Sequence, residues 1–441
     1  MLRAKTTRVR WFLVFWLFVL SAVSYLDRVN ISIAGGSIVD AYHLSDVQLG
    51  KVFSALVAGY ALFQTVGGYL ADRFGPRRVL AAGVVWWGIF TALTALVPAD
   101  IKGALYLLVG VRFLLGAGEA VIYPAANQFV ARWIPIRERG IANGWIFAGV
   151  GAGAGLTPPL ITYLMIHHGW RSSFWVCSIL GFLAGAVWYF AARDNPADHP
   201  RVSATELTTI QSGLRVTNDS VNAAKADAMV PWSRVVRSRE VWAVTVSYFC
   251  YGYVAWIFFS WFYRYLAKVR GLDLKASAFY SMLPFLAMLV FCLLGGMVND
   301  RLTKSHGPRL GRCGVAAFAM GVAGIFIACG SQVQGVRLAS IVLAGGAGAL
   351  YFAQSSFWSV TADIAGASAG SVSGFMNMGG QIGGALTGSL TPWIAVRYGW
   401  TASFLVAAAL CIVGAVSWLV VDPLHTLTQE RTAEALHQVH S

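Results

Sequence analysis

Four charged residues stand inside long apolar stretches of this sequence, and their types suit anion binding and proton transfer. Asp27 and Arg28 follow a long apolar run, while Arg112 and Glu119 lie within another. Arginine keeps its positive charge and presents a planar fork to a carboxylate, whereas a carboxylate beside arginine can be ionised or take up a proton. The set therefore suits an organic anion whose binding is coupled to protons.

The spacing of these residues predicts how their side chains face one another. Arg112 and Glu119 are two helical turns apart, so both lie on one helix face with Gly116 between them. Asp27 and Arg28 are adjacent and point about 100° apart, so they serve different neighbours. We expect the two helices to face each other, so that two carboxylates and two guanidiniums can exchange partners. The alternative is a pair of salt bridges that only lock the helices together.

The elements that must position these charges are membrane helices. The 441 residues are 57% hydrophobic and only 12% charged, which is too few charges for a water-facing surface. Apolar windows of about 20 residues, long enough to cross a bilayer, recur along the chain. Twelve spans are predicted, at 11–38, 47–71, 79–97, 103–131, 140–166, 172–192, 241–266, 276–299, 313–330, 338–361, 367–395 and 400–421.

The one long polar segment divides the spans into two groups of six. We predict an N-terminal six-helix bundle at 1–192, a central loop at 193–240, a C-terminal six-helix bundle at 241–421 and a tail at 422–441. Both termini then lie on one side, which collects 22 of the 33 Lys and Arg residues. Since positive charge concentrates on the cytoplasmic side, both termini are predicted to be cytoplasmic. We expect a monomer in the lipid of the cell inner (plasma) membrane.

Composition and motifs exclude several other classes of protein. The net charge of +14 comes without zinc spacing or an RNA-binding run, so no nucleic acid partner is expected. The six cysteines form no C-x-x-C pair, and the eight histidines lie mostly outside the spans, so we expect no metal site and no catalytic relay. No phosphate-binding glycine loop appears. We predict neither an enzyme nor an ATP-driven pump, and no cofactor.

Two sequence patterns recur in the two halves. The run Gly-Gly-Tyr-Leu-Ala-Asp-Arg-Phe-Gly-Pro-Arg-Arg at 67–78 returns in altered form at 295–309. A Leu-Thr-Pro followed by Gly-Trp, at 156–170, returns at 390–400. Both offsets are about 230 residues, which indicates a duplicated bundle of the kind from which many transporters are built.

The duplicated loop resembles the signature loop of the major facilitator superfamily. Further runs are similar to the anion:cation symporter family, which includes sialin and bacterial sugar-acid permeases. These runs are Tyr-Leu-Asp-Arg-Val-Asn-Ile-Ser at 25–32, Arg-Phe-Leu-Leu-Gly-Ala-Gly-Glu-Ala at 112–120, Trp-Ile-Pro-x-x-Glu-Arg-Gly at 133–140 and Gly-Trp-Arg at 169–171. The resemblance implies an all-α membrane protein of twelve helices in two six-helix bundles. It further implies import of an organic carboxylate, foremost a sugar acid, by proton symport with alternating access.

The resemblance also implies roles for the charged residues. Glu119 and Asp27 match the carboxylates that carry protons, and Arg28 matches the arginine that meets the substrate carboxylate. Tyr25, in the same run, is expected to contact the substrate. For Arg112 we expect a pairing or gating role beside the substrate.

The C-terminal half supplies neutral candidates for substrate contact. Tyr251 lies midway along span seven, Gln354 and Ser355 lie in span ten, and Asn377 lies in span eleven. Ordinary helix packing is the alternative for each of them. Asn377 matches an asparagine of the sugar-acid members, and its amide would need a partner if buried. Span five is rich in Gly and Ala at 147–155, where sugar-acid relatives place polar residues, so smaller or aromatic carboxylates are a second possibility.

The duplicated loops also predict a gate. Asp72 and Arg73 end span two, and Asp300 and Arg301 end span eight. These charges could serve only to orient the chain in the membrane. The resemblance implies instead that each aspartate pairs with an arginine and a helix end to close the inward side. A proton-driven exporter would share this fold, but two buried arginines favour anionic cargo.

Overall fold

The computed structural model describes residues 7–214 and 229–427. In these ranges the chain forms helices and no strands, and eleven helical segments are long and apolar enough to cross a membrane. One of them, 336–398, has 63 residues, about three times what a single crossing of about 20 residues needs. A short turn at Gly366–Ser368 divides this segment into two crossings. The predicted twelve-helix membrane fold is therefore confirmed.

The twelve membrane helices are labelled α1 to α12 in chain order. The N-terminal bundle consists of α1 (Val9–Tyr42), α2 (Asp46–Phe74), α3 (Pro76–Leu96), α4 (Ala104–Glu119 and Ile122–Trp133), α5 (Arg139–His168) and α6 (Trp170–Ala191). The C-terminal bundle consists of α7 (Arg239–Ser260), α8 (Leu274–His306), α9 (Val315–Gln332), α10 (Val336–Phe352 and Gln354–Ala365), α11 (Ala369–Tyr398) and α12 (Trp400–Ser417).

The duplication is visible in the turns between helices. Gly75 joins α2 to α3 at φ +87°, and Gly307 follows α8 at φ +86°. Gly169 and Gly399 join α5 to α6 and α11 to α12, at φ +77° and +85°. Residues other than glycine rarely adopt such positive φ angles. The repeated glycines of the sequence therefore mark equivalent sharp turns.

The central segment 193–240 contains more structure than a plain loop. It includes a helix at Ala204–Leu214 and a short turn of helix at Trp232–Val235. Glu206 is fully buried and accepts hydrogen bonds from the backbone N–H groups of Val9 (3.1 Å) and Arg10 (3.2 Å). It thus caps the N-terminus of α1 and fixes this part of the segment to the N-terminal bundle. Residues 215–228 of the predicted central loop and residues 428–441 of the predicted tail lie outside the described residues.

Contacts place the central segment and both ends of the described chain at one end of the molecule, here named the linker end. Thr7 donates to Ser203 (3.2 Å), the backbone N–H of Val230 donates to the Ser368 hydroxyl (2.8 Å), and the N–H of Leu427 donates to the Ile364 carbonyl (3.0 Å). The opposite end is named the far end. Helices α1, α3, α5, α7, α9 and α11 run from the linker end to the far end, and the other six return.

Two equivalent contacts, here named the latches, join the bundles at the linker end. Asp72 at the end of α2 accepts hydrogen bonds from the backbone N–H groups of Gly370 (2.9 Å) and Ser371 (2.7 Å), which begin α11. Asp300 near the end of α8 accepts from the N–H groups of Gly140 (2.8 Å) and Ile141 (2.6 Å), which begin α5. Each carboxylate therefore caps the positive end of a helix in the opposite bundle.

The structure does not bring the neighbouring arginines into the latches. Arg73 is exposed and donates to the Tyr69 hydroxyl (3.1 Å), and Arg301 is also exposed. Adjacent residues on a helix point about 100° apart, so when the aspartate faces the other bundle its neighbour turns to the surface. The arginine that pairs with Asp300 is Arg312, at 3.0 Å, which sequence spacing did not single out.

Removing the charge of a latch should open the linker end. In Asp72→Asn and Asp300→Asn, each helix end loses a charge-assisted cap worth about 1.5–3 kcal/mol. The equilibrium between closed and open linker ends should shift about tenfold or more towards the open state. Electron–electron distance measurements between spin labels at the exposed positions Arg78 and Lys304 would report this as a longer distance.

The matched control is Asp198→Asn, which removes an exposed carboxylate of the central segment. The labelled protein should carry serine in place of the exposed Cys329. Distances unchanged in both latch variants would contradict the assignment of the latches as closing contacts.

Candidate functional site

A cavity of about 850 Å³ lies between the two bundles, midway along the helices. Its wall includes Arg28 and Arg112 from the N-terminal bundle and Gln354 and Asn377 from the C-terminal bundle. It extends towards the far end, since Phe53 near the start of α2 belongs to its wall. The latches join the bundles on the linker side of this cavity.

The strongest polar contact at the cavity wall joins α1 to α4. Arg28 donates to Glu119 Oε2 through Nη2 (2.7 Å) and through Nε (3.2 Å). Glu119 is fully buried, whereas 11% of the Arg28 side chain is exposed. Tyr25 and Tyr60 hold the guanidinium between them, with ring centres 4.8 and 4.2 Å from its carbon. These two cation–π contacts orient the guanidinium at the cavity wall while its carboxylate partner stays behind it.

Asp27 turns away from the cavity, towards α3. Its Oδ2 accepts a hydrogen bond from the Thr91 hydroxyl (2.5 Å), and the residue is only 1% exposed. Its Oδ1 has no hydrogen-bond partner among the described residues. The expectation that Asp27 and Arg28 serve different neighbours agrees with this geometry.

Arg112 is the second guanidinium of the cavity wall. It is 1% exposed, and its Nε and Nη1 have no hydrogen-bond partner among the described residues. Asp27 and Glu119 are the acidic groups that interact with it electrostatically. The structure therefore brings the four predicted charges together, with Arg28 and Glu119 in contact and Asp27 and Arg112 as unbonded neighbours.

Tyr251 lies on the C-terminal side of the cavity, in a cluster of aromatic rings. It stacks on Tyr248 with ring centres 5.1 Å apart. The Tyr248 hydroxyl accepts hydrogen bonds from Gln354 Nε2 (3.1 Å) and Trp358 Nε1 (3.3 Å). The Gln354 Oε1 and the Tyr351 hydroxyl are buried and have no hydrogen-bond partner among the described residues. This wall offers flat apolar surface with a few hydrogen-bonding groups.

Asn377 also lies at the cavity wall, where it joins the two bundles. Its amide donates to Gln64 Oε1 on α2 (2.8 Å). Ser355 is placed differently from the prediction, because its hydroxyl donates to the backbone carbonyl of Cys292 on α8 (3.3 Å) and it is absent from the cavity wall. Ser355 points about 100° away from Gln354 around the helix, towards α8 rather than the cavity.

Several cavity residues were not singled out in the sequence. Tyr60 on α2 lines the cavity, and Gln64, four residues later on the same helix face, contacts the wall residue Asn377. Tyr123 on α4 also lines the cavity and pairs its hydroxyl with Ser21 (3.0 Å). The spacing of Tyr60 and Gln64 was a usable signal. Trp358 was visible in span ten only as one aromatic residue among many, since aromatic residues also pack between helices and at membrane interfaces.

The Gly- and Ala-rich stretch of α5 forms another part of the wall. Val150, Gly151, Ala154 and Gly155 line the cavity and offer it no side-chain hydrogen bonds. Their small size leaves volume next to the aromatic cluster. The predicted lack of hydroxyl groups on this side is therefore a property of the cavity itself.

Comparison with known proteins identifies the family. The Major Facilitator Superfamily matches residues 17–388. The probable sulfoacetate transporter SauU of Cupriavidus necator is 35% identical over 94% of this chain and 95% of its own. The probable galactarate/D-glucarate transporter GudP of Bacillus subtilis is 34% identical over 68% of this chain and 67% of its own.

A solved structure is similar over nearly the whole length. The superfamily transporter FucP in its outward conformation has a TM-score of 0.68 at 18% identity, and the match covers 93% of this chain and 98% of FucP. The resemblance to an anion-transporting branch, noted from the motifs at 25–32 and 112–120, is confirmed by the relatives. The homologues are transporters rather than enzymes. This chain belongs to the major facilitator superfamily.

Proposed function

We propose that this protein imports an organic anion together with protons, and that the anion is a sugar acid such as a hexuronate, aldonate or aldarate. The observation that carries the proposal is the ion pair between Arg28, at the cavity wall, and the fully buried Glu119. An arginine already neutralised by a carboxylate binds a second anion weakly. Anything that removes the charge of Glu119 makes Arg28 available.

Protonation of Glu119 is the step that couples the two solutes. Neutral Glu119 no longer holds Arg28, and it no longer repels an arriving carboxylate. Substrate and proton therefore favour each other's binding, and this coupling is reciprocal by thermodynamic linkage. Asp27, with one unbonded oxygen beside Arg112, is proposed as the second group that carries a proton.

Organic-anion transport is supported by the relatives, whose names specify sulfoacetate and galactarate or glucarate. The sugar-acid proposal is supported by Gln354, Asn377 and Gln381 on the cavity wall, which can hydrogen-bond hydroxyl groups. A smaller or aromatic anion is the second candidate, because the α5 wall is apolar and the opposite wall is aromatic. A proton-driven exporter of cations fits less well, since two guanidiniums face the cavity.

The proposed direction of transport rests on the resemblance, and the proposed orientation is compatible with it. We place the linker end in the cytoplasm of a cell whose inner membrane holds the protein, because the Lys and Arg residues concentrate there. The latches then close the inward side, and the cavity opens outward. Rocking of the two bundles about the cavity would release the substrate inside.

Replacing Glu119 with glutamine should uncouple transport from protons. Glu119→Gln mimics the protonated side chain, so proton-driven accumulation in proteoliposomes should fall at least tenfold while exchange of labelled for unlabelled substrate continues. The measurement is uptake with an imposed pH gradient, compared with counterflow without one. The screen should include hexuronates, aldonates, aldarates and small aromatic acids.

The matched control is Glu138→Gln, which changes a partly exposed carboxylate at the linker end that pairs with Arg10. It should keep both activities. Proton-driven uptake that persists unchanged in Glu119→Gln would remove this residue from the coupling mechanism.

Arg28→Lys should weaken substrate binding while keeping the positive charge. Lysine loses the planar fork and the stacking between Tyr25 and Tyr60, so the Kd should rise about ten- to a hundredfold. Tryptophan fluorescence of the purified protein can report binding, because Trp256 and Trp358 line the cavity. The exposed Arg397→Lys is the control. An unaltered Kd in Arg28→Lys would show that the substrate anion binds elsewhere.

A further inference from the structure

Arg112 is a buried cation that the Arg28–Glu119 pair does not use. It lines the same cavity, is 1% exposed, and has two guanidinium nitrogens without hydrogen-bond partners among the described residues. A buried charge with unmet hydrogen bonds is costly inside a membrane, by at least about 2.5 kcal/mol on insertion scales. Such a group has a structural partner or a task, and no described residue hydrogen-bonds these two nitrogens.

Asp27, the acidic neighbour of Arg112, also has a buried polar atom without a hydrogen-bond partner among the described residues. Asp27 bonds Thr91 through Oδ2, while its Oδ1 has no partner among the described residues. It lies close enough to Arg112 to interact with it electrostatically. The site thus contains two couples of one carboxylate and one guanidinium, namely Glu119 with Arg28 and Asp27 with Arg112. Other titratable groups that interact electrostatically with members of these couples are Tyr25, Tyr60, Tyr123 and Cys177.

The net charge of the two couples depends on whether their carboxylates are protonated. With both carboxylates ionised, the four groups sum to zero charge. With both protonated, the two guanidiniums leave a charge of plus two facing the cavity. Because net charge in a membrane interior is expensive, the loaded site is most stable when the substrate cancels that charge. Two protons therefore match a substrate with two negative charges.

The two guanidiniums lie at different depths. Arg112 precedes Glu119 by two turns, which is about 10 Å along α4, and Arg28 is bound at Glu119. Since α4 runs from the far end to the linker end, Arg112 is closer to the mouth of the cavity. A ligand held at both places must carry its anionic groups at its two ends.

We propose that Arg112 is a second anion subsite, and that the substrate is a dianion with one acidic group at each end, carried with two protons in an electroneutral cycle. This inference rests on the proposed function and narrows it. Arg28 binds the inner acidic group when Glu119 is protonated, and Arg112 binds the outer group when Asp27 is protonated. Both fork-shaped donors suit a carboxylate or a sulfonate.

The test compares ligands that differ only at their second end. Glucarate and gluconate share a carbon skeleton, but only glucarate has an acid at both ends; sulfoacetate and methylsulfonylacetate form a shorter pair. In the intact protein, we expect the dianion of a pair to bind about ten- to a hundredfold more tightly by tryptophan fluorescence. In Arg112→Lys, which keeps the charge and loses the fork, this preference should fall to less than threefold through weaker binding of the dianion alone.

A second measurement needs no variant, so it stands even if Arg112 substitutions fail to fold. In proteoliposomes with a potential set by potassium and valinomycin, glucarate accumulation driven by a pH gradient should not change with the potential. Gluconate carried with the same two protons would move one positive charge and should respond to it.

The outcomes separate the two proposals. Dianion preference that survives in Arg112→Lys, equal binding of both members of each pair, or dianion uptake that responds to the potential would overturn the second subsite. Proton-coupled uptake of gluconate without any of glucarate or sulfoacetate would overturn it too, while the proposed organic-anion symport would stand. If no organic anion drives proton-coupled uptake, the proposed function itself fails.

Discussion

The ion pair between Arg28 and Glu119 is the interaction on which the rest of this structure depends. Both groups are held inside a membrane protein, where neither is stable alone and where removal of one leaves the other uncompensated. The pair joins α1 to α4 at the wall of the cavity between the bundles. A contact that is needed for stability, yet can be exchanged for substrate and proton, is well suited to coupling the two.

The surrounding fold keeps this pair at the boundary between the bundles. The turns at Gly75 and Gly307 follow helices whose terminal aspartates cap α11 and α5, so each bundle closes against a helix end of the other. The duplicated sequence thus becomes two equivalent latches. The halves have diverged at the cavity, where the N-terminal bundle supplies all four central charges and the C-terminal bundle supplies aromatic rings and amides. A charged half and a neutral half can approach without repulsion.

Sequence reasoning predicted the helices well, because hydrophobic length and repeated glycines are local properties. It also predicted the four charges as a set, since charges inside apolar runs are rare. It could not predict which neighbour each side chain meets. The side chain of Ser355 points to α8 and that of Arg73 to the surface, because each lies about 100° around its helix from the preceding residue. The pairing of Asn377 with Gln64, 313 residues apart, depends on how the bundles pack and is invisible to local patterns.

The central claim is that the substrate and ionised Glu119 compete for the guanidinium of Arg28, so that substrate binding favours protonation of Glu119. The most direct test is to add substrate to the purified protein in weakly buffered solution and to measure proton uptake with a pH indicator. The account predicts protons taken up in step with substrate bound, and a smaller uptake in Glu119→Gln. Substrate binding without any proton uptake, across the pH range in which transport is coupled, would contradict it.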